Sequence, residues 1–162
     1  MTNPANLTNM DKLRAIIRSK PRWIVLVIFS YILVLGILKW RLKPDISTVF
    51  YLFGGLFGVY FMDLADMVFD IKPSPFRSII FVVSFGIVSF FVVTSSGSMF
   101  ATGLVLSLYF TLLLLQAEEW HEYKNLNAWF TLGMSQPPVK VQRWIVLGIA
   151  LFLVLETLLF IR

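Results

Sequence analysis

Residues 46–70 read ISTVFYLFGGLFGVYFMDLADMVFD, and this stretch decides the fold. It has no charged residue before Asp63 and then adds Asp66 and Asp70. At about 1.5 Å per residue, a helix over 46–69 is about 36 Å long, slightly more than the hydrocarbon core of a bilayer. The spacing of the aspartates places all three on one face of that helix. We therefore predict a transmembrane helix that ends in an acidic face.

The composition of the whole chain extends this prediction. The 162 residues are 58% hydrophobic, with a mean hydropathy of +0.81, and four further apolar runs are separated by polar or proline-containing turns. We predict an all-α polytopic membrane protein, a bundle of about five transmembrane helices in one domain over residues 23–162. The predicted spans are 23–38, 46–69, 78–94, 99–117 and 143–161.

Residues 1–22 form a basic segment before the first span. Apolar residues recur on one side of a helix drawn from about residue 8 to residue 20, and Lys12, Arg14, Arg18 and Lys20 lie on the other side. This pattern predicts an amphipathic helix in the headgroup layer. A basic tail that only fixes the orientation of the first span is the alternative.

The basic residues also predict the orientation. With a cytoplasmic N-terminus and five spans, ten of the 14 lysines and arginines fall on the cytoplasmic side. We therefore expect a multi-pass protein of the plasma membrane, or inner membrane of a bacterial cell, with its N-terminus in the cytoplasm. The second and fourth spans then both end on the cytoplasmic side.

A second acidic stretch, QAEEWHE at residues 116–122, closes the fourth run. Glu118, His121 and Glu122 share one helical face, and carboxylates with an imidazole suit Mn, Fe, Zn or Mg. The sequence thus offers a candidate metal site, although the cofactor, if any, is unknown; its residues are Asp63, Asp66, Asp70, Glu118, His121 and Glu122. The alternative is that cations of the chain itself neutralise these acids, namely Lys72, Arg77, Lys124, Lys140 and Arg143.

The function predicted from these features is that of a small membrane subunit, scaffold or assembly partner without its own catalysis. The chain has no cysteine and no complete catalytic set, and Gly54, Gly55 and Gly58 form a face suited to close helix packing. Partners are the lipid bilayer and either a second copy or another membrane subunit. The net charge of +5 reports topology and does not indicate nucleic-acid binding. The alternative is a divalent-cation-binding transporter or channel subunit, or a metal-dependent membrane enzyme acting on a lipid phosphate.

Two smaller expectations concern single features of the chain. Glu156 stands alone in the last span, where we expect it near the outer edge, within reach of lipid headgroups or Arg162. Residues 126–132 are expected to form a short helix on the membrane surface, because Trp129 and Phe130 belong to a segment rich in interfacial aromatic residues.

Overall fold

The structure is a computed structural model that describes residues 21–41, 43, 45–69, 74–130 and 135–162. Within these ranges it is helical, with no strand. The helices are α1 (Arg22–Trp40), α2 (Ile46–Phe69), α3 (Ile79–Ser95), α4 (Met99–Tyr123) and α5 (Val139–Ile161), with 3₁₀ turns at Pro75–Arg77 and Asn127–Phe130. The predicted all-α membrane bundle is confirmed: four helices are long and apolar enough to cross a membrane, and α3, with 17 residues, is shorter.

The helix ends follow local sequence signals. Ser78 and Ser98 precede α3 and α4, and their hydroxyls accept hydrogen bonds from Phe81 N and Ala101 N, each at 3.2 Å. Such bonds satisfy amide groups that a helix start leaves open. Helix α4 ends where Lys124 turns left-handed, at a φ of 56°. It therefore extends beyond residue 117, the predicted end of that span, and carries the second acidic stretch on continuous helix.

Two predicted features lie outside the described residues. These are the amphipathic helix within residues 1–22, of which the structure describes only residues 21 and 22, and Asp70. Both stay predictions. Helices α1 and α5 begin earlier than the predicted spans, at Arg22 and Val139, because helical hydrogen bonding continues into polar residues beyond the apolar run.

The five helices alternate in direction. The end of α2 meets the start of α3, where Arg77 pairs with Asp63. The start of α1 lies beside the end of α4, since Trp23 and Glu118 line the same cleft. At the opposite end, the rings of Trp40 in α1 and Phe160 in α5 are 6.1 Å apart. Helices α1, α3 and α5 therefore run one way, and α2 and α4 run the other way.

Helices α2 and α4 form the closest pair, and glycine makes this possible. A Cβ on Gly54 would overlap the carbonyl oxygen of Phe100, and one on Gly58 would overlap that of Leu104. From the other helix, a Cβ on Gly103 would overlap the carbonyl oxygen of Tyr51. Contacts of this kind let backbones approach and form weak Cα–H···O interactions, which matter in a bilayer where helix association gains little from hydrophobicity.

Helix α4 is central to the bundle. In the most apolar 18-residue stretch of α4, 56% is buried inside the bundle. The corresponding share is no more than a third in α1, α2 and α5. The turn at Asn127–Phe130 packs onto the core, with Trp129 and Phe130 only 3% and 4% exposed. The short helix expected here is present as a 3₁₀ turn, and its aromatic side chains pack onto the core. Residues 131 and 132 lie outside the described residues, and a position on the membrane surface stays a prediction.

Candidate functional site

Both acidic stretches lie at one end of the bundle. Helices α2 and α4 are parallel, because Gly54 sits against Phe100 and Gly58 against Leu104, so position along both helices increases together. Their C-terminal ends therefore emerge side by side. We call this end, where α2 and α4 finish, the acidic end. The negative pole of each helix dipole adds to the carboxylates there.

Arg77 pairs with two aspartates of α2. Its Nη2 is 3.6 Å from Oδ1 of Asp63, and its Nε is 3.9 Å from Oδ2 of Asp66. Asp66 also accepts a hydrogen bond from the hydroxyl of Ser74. The Asp63 side chain is 11% exposed and that of Arg77 is 52% exposed, so the pair lies at the boundary between core and solvent. These two aspartates therefore share one cation of the chain itself.

The connection between α4 and α5 is fixed by hydrogen bonds to Glu119 of α4 and Gln142 of α5. Trp129 Nε1 donates to Oε2 of Glu119 at 2.7 Å, which holds the 3₁₀ turn against α4. The side chain of Gln142, 1% exposed, accepts from Leu126 N at 2.7 Å and donates to Pro137 O at 2.9 Å. This anchoring role of Gln142 has no signal in the sequence, because a glutamine near a helix start is usually exposed.

Two clefts flank the end of α4. The first has a volume of about 430 Å³ and lies on the side of α3, between Arg77, Trp129 and the glutamates of α4. The second, of about 630 Å³, lies on the side of α1, next to Trp23 and His121. Glu118 and Glu122 line both clefts. The two glutamates therefore form a ridge between the clefts, which we call the glutamate ridge.

The residues predicted to hold a metal are thus divided by the structure. Asp63 and Asp66 face Arg77, Glu118 and Glu122 form the glutamate ridge, and His121 lines the second cleft with them. Within the described ranges no three histidine, aspartate or glutamate side chains are grouped closely enough to hold a metal ion. Because Asp70 lies outside those ranges, the six-residue metal site stays a prediction.

Glu156 has a different position from the one expected. It is fully buried, and its Oε2 accepts a hydrogen bond of 3.0 Å from the hydroxyl of Ser89, itself fully buried. The expected contact with headgroups or Arg162 was wrong. Helix α5 packs with this face against α3 and α4, which directs the carboxyl into the bundle. The pairing of Ser89 with Glu156, 67 residues apart in the chain, could not be foreseen from the sequence.

The chain matches no protein-family model, no curated protein and no solved structure. The fold alone therefore defines the class: this is a multi-pass, all-helical membrane protein. Its site at the acidic end must be interpreted from its own residues.

Proposed function

We propose that this chain is a subunit or assembly partner of a membrane complex, and that its glutamate ridge binds a basic segment of a partner protein. Following the distribution of lysines and arginines, the acidic end is placed on the cytoplasmic side of the plasma membrane. Residues 23–162 act as one domain, with residues 1–22 as a separate basic segment. The observation that carries the proposal is the parallel packing of α2 and α4, which brings the carboxylates of both helices to one end.

The carboxylates at this end are only partly paired within the described residues, although Arg22, Lys124, Lys140 and Arg143 also lie at this end. Arg77 is directed to Asp63 and Asp66, and Glu119 bonds to Trp129. The Glu118 side chain forms no ion pair with a described cation, and Glu122 is exposed, with Tyr123 as its hydrogen-bond partner. A cationic side chain bound at the ridge would therefore gain from two carboxylates and from the negative pole of the α4 dipole.

The rest of the bundle supports a structural role. The closest helix contact is made by backbone against backbone, which leaves no space between α2 and α4 for a substrate. Both clefts are at the rim of the bundle, open to the interface where the basic residues that flank a partner's transmembrane helix would lie. A small rigid bundle with a charged rim is well suited to position another membrane protein.

Because the chain has no cysteine, single cysteines can test the ridge directly. Ala128 lines the first cleft, and Gly97 is exposed in the turn at the opposite end of the bundle. In membranes of the cells from which the chain comes, treated with a thiol-to-amine cross-linker, we expect Ala128→Cys to be joined to a lysine of the partner as an adduct of defined mass. We expect Gly97→Cys to form none. Adding Glu118→Gln and Glu122→Gln to the Ala128→Cys variant should reduce the adduct at least about tenfold, the effect of removing a close charge pair.

Two results together would contradict the proposal of a bound partner. If the chain runs as a bare monomer in mild detergent, and if the two cysteine variants cross-link equally or not at all, the proposal of a bound partner is wrong. An adduct that survives neutralisation of both glutamates would place the interface elsewhere on the bundle.

A second candidate function is divalent-cation binding, and one observation favours it. Glu118, His121 and Glu122, at i, i+3 and i+4, line the same cleft. Their side chains are not grouped closely enough in the structure to hold an ion together, so binding would require them to turn toward one another. Carboxylate and imidazole ligands suit Mn²⁺ or Zn²⁺, and binding requires them deprotonated, so affinity would fall on acidification. A transporter subunit or a metal-dependent enzyme acting on a lipid phosphate would both use such a site.

This candidate is tested with the metal ions alone. If it holds, micromolar Mn²⁺ or Zn²⁺ should raise the melting temperature of the purified chain by several degrees, through stabilisation of the folded state by its ligand. His121→Ala should abolish the shift, whereas Asp45→Asn, at the other end of the bundle, should retain it. Unchanged melting curves together with metal-free protein in elemental analysis would contradict this function.

A further inference from the structure

A group of polar side chains lies inside the bundle, and every helix contributes to it. Glu156 is five residues before the end of α5, roughly 8 Å along the helix axis, and Tyr31 is at the middle of α1. The group therefore lies within the membrane-spanning part. We call it the inner polar cluster, and its members are Tyr31, Tyr51, Ser89, Tyr109, Glu156 and Thr157.

Part of this cluster is connected by hydrogen bonds. Ser89 Oγ donates to Glu156 Oε2 at 3.0 Å. The hydroxyls of Tyr31 and Thr157 share a hydrogen bond, and Thr157 Oγ1 donates to the carbonyl of Leu153 at 2.8 Å. The carboxyl of Glu156 thus has an oxygen partner on α3, and the adjacent Thr157 connects α5 to α1.

Two atoms of the cluster are buried without a partner among the described residues. They are Oε1 of Glu156 and the hydroxyl of Tyr51, both on side chains that are fully buried. A buried polar atom without a hydrogen bond is costly, and a buried charge without a counter-charge is far more so. In native proteins such atoms commonly mark a bound ion or water.

The positive charge that Glu156 needs does not come from a described side chain. Lys39, on the neighbouring α1, lies 5.4 Å from the centroid of the Phe160 ring and forms no ion pair with Glu156. The hydrogen-bond partner of the carboxyl is the neutral hydroxyl of Ser89. Neutral hydroxyls can supply oxygen ligands, but they do not balance the charge.

We propose that the inner polar cluster binds one small monovalent cation of the size of Na⁺, with Glu156 as its charged ligand and the Ser89 hydroxyl beside it. A single carboxylate balances a single positive charge, whereas a divalent ion would leave an excess charge within the membrane. The ligands offered are all oxygen atoms, which hard cations prefer. The unpartnered Oε1 is the position at which the ion coordinates. This inference does not depend on the glutamate ridge or on its partner.

The test is thermal unfolding of the full chain in detergent, with chloride salts of Li⁺, Na⁺ or K⁺ compared with choline chloride at the same ionic strength. Choline is too large for a buried oxygen site, so it controls for screening. We expect at least one small cation to raise the melting temperature saturably, by roughly 5 °C at saturation. Glu156→Gln should abolish the dependence, and the exposed control Asp45→Asn should retain it.

A second variant keeps the proposal testable if Glu156→Gln does not fold. Ser89→Ala retains the carboxylate and removes one oxygen, so the half-saturating cation concentration should rise about tenfold, the equivalent of one hydrogen bond to a charged group. Equal melting temperatures in all four salts would overturn the proposal and leave a proton as the species that neutralises Glu156. A cation effect that is unchanged in both Glu156→Gln and Ser89→Ala would also overturn it, by placing the ion at another site.

Discussion

Replacing Gly103 with alanine is expected to destabilise the bundle by about 3 kcal/mol or more, equivalent to a fall of roughly 6–12 °C in melting temperature. The added Cβ would overlap the carbonyl oxygen of Tyr51 and lie 3.0 Å from the backbone nitrogen of Gly55. Both are backbone atoms of α2, which no rotamer change can move. Relief therefore requires the two helices to separate, with loss of the contacts along their whole length. Thermal unfolding in detergent, followed by size-exclusion chromatography, measures the effect.

Gly148 provides the matched control. It lies in α5, and a Cβ built on it would meet nothing within 4 Å. Gly148→Ala should be neutral or stabilising by up to about 1 kcal/mol, because alanine favours a helix over glycine. If Gly103→Ala lowers the melting temperature and Gly148→Ala does not, the loss of stability is due to the α2–α4 contact and not to the replacement of glycine by alanine. If Gly103→Ala has the melting temperature of the unaltered chain, α2 and α4 do not make backbone contact at Gly103.

Replacing Gln142 with leucine is expected to cost about 2–4 kcal/mol and to release the connection between α4 and α5. Gln142 accepts from Leu126 N and donates to Asn127 Oδ1 and Pro137 O, at 2.7, 3.0 and 2.9 Å. Leucine fills a similar volume but leaves the buried Leu126 amide unsatisfied. We expect a lower melting temperature and faster proteolytic cleavage between residues 124 and 138.

Gln136 supplies the control for this substitution. It is an exposed glutamine in the same connection, and Gln136→Leu should change the melting temperature little. Should the two variants be cleaved at the same rate, the hydrogen bonds of Gln142 would not be what holds the connection.

The candidate site could be anticipated only in part. Helical periodicity places Asp63 and Asp66 on one face, and the alternation of spans brings both acidic stretches to one end. Whether these aspartates face a metal or an arginine depends on where the 3₁₀ turn at Pro75–Arg77 directs Arg77, which is decided by its packing. Likewise, the sequence predicts how far along α5 Glu156 lies. It does not predict which neighbouring helix the side chain faces, because the apolar stretch of α5 has a mean hydropathy of 2.6 and no single face stands out as the buried one.

By itself, the sequence determined the class of this protein. Uncharged runs the length of a bilayer must form helices, since a backbone in lipid has to satisfy its own hydrogen bonds. Tertiary structure decided which side chains these helices bring together, namely Arg77 with two aspartates, Gln142 with the loop, and Ser89 with Glu156. The physical reason is that helix formation is local, whereas rotation and register depend on contacts between residues far apart in the chain, such as the fit of Gly103 against Tyr51.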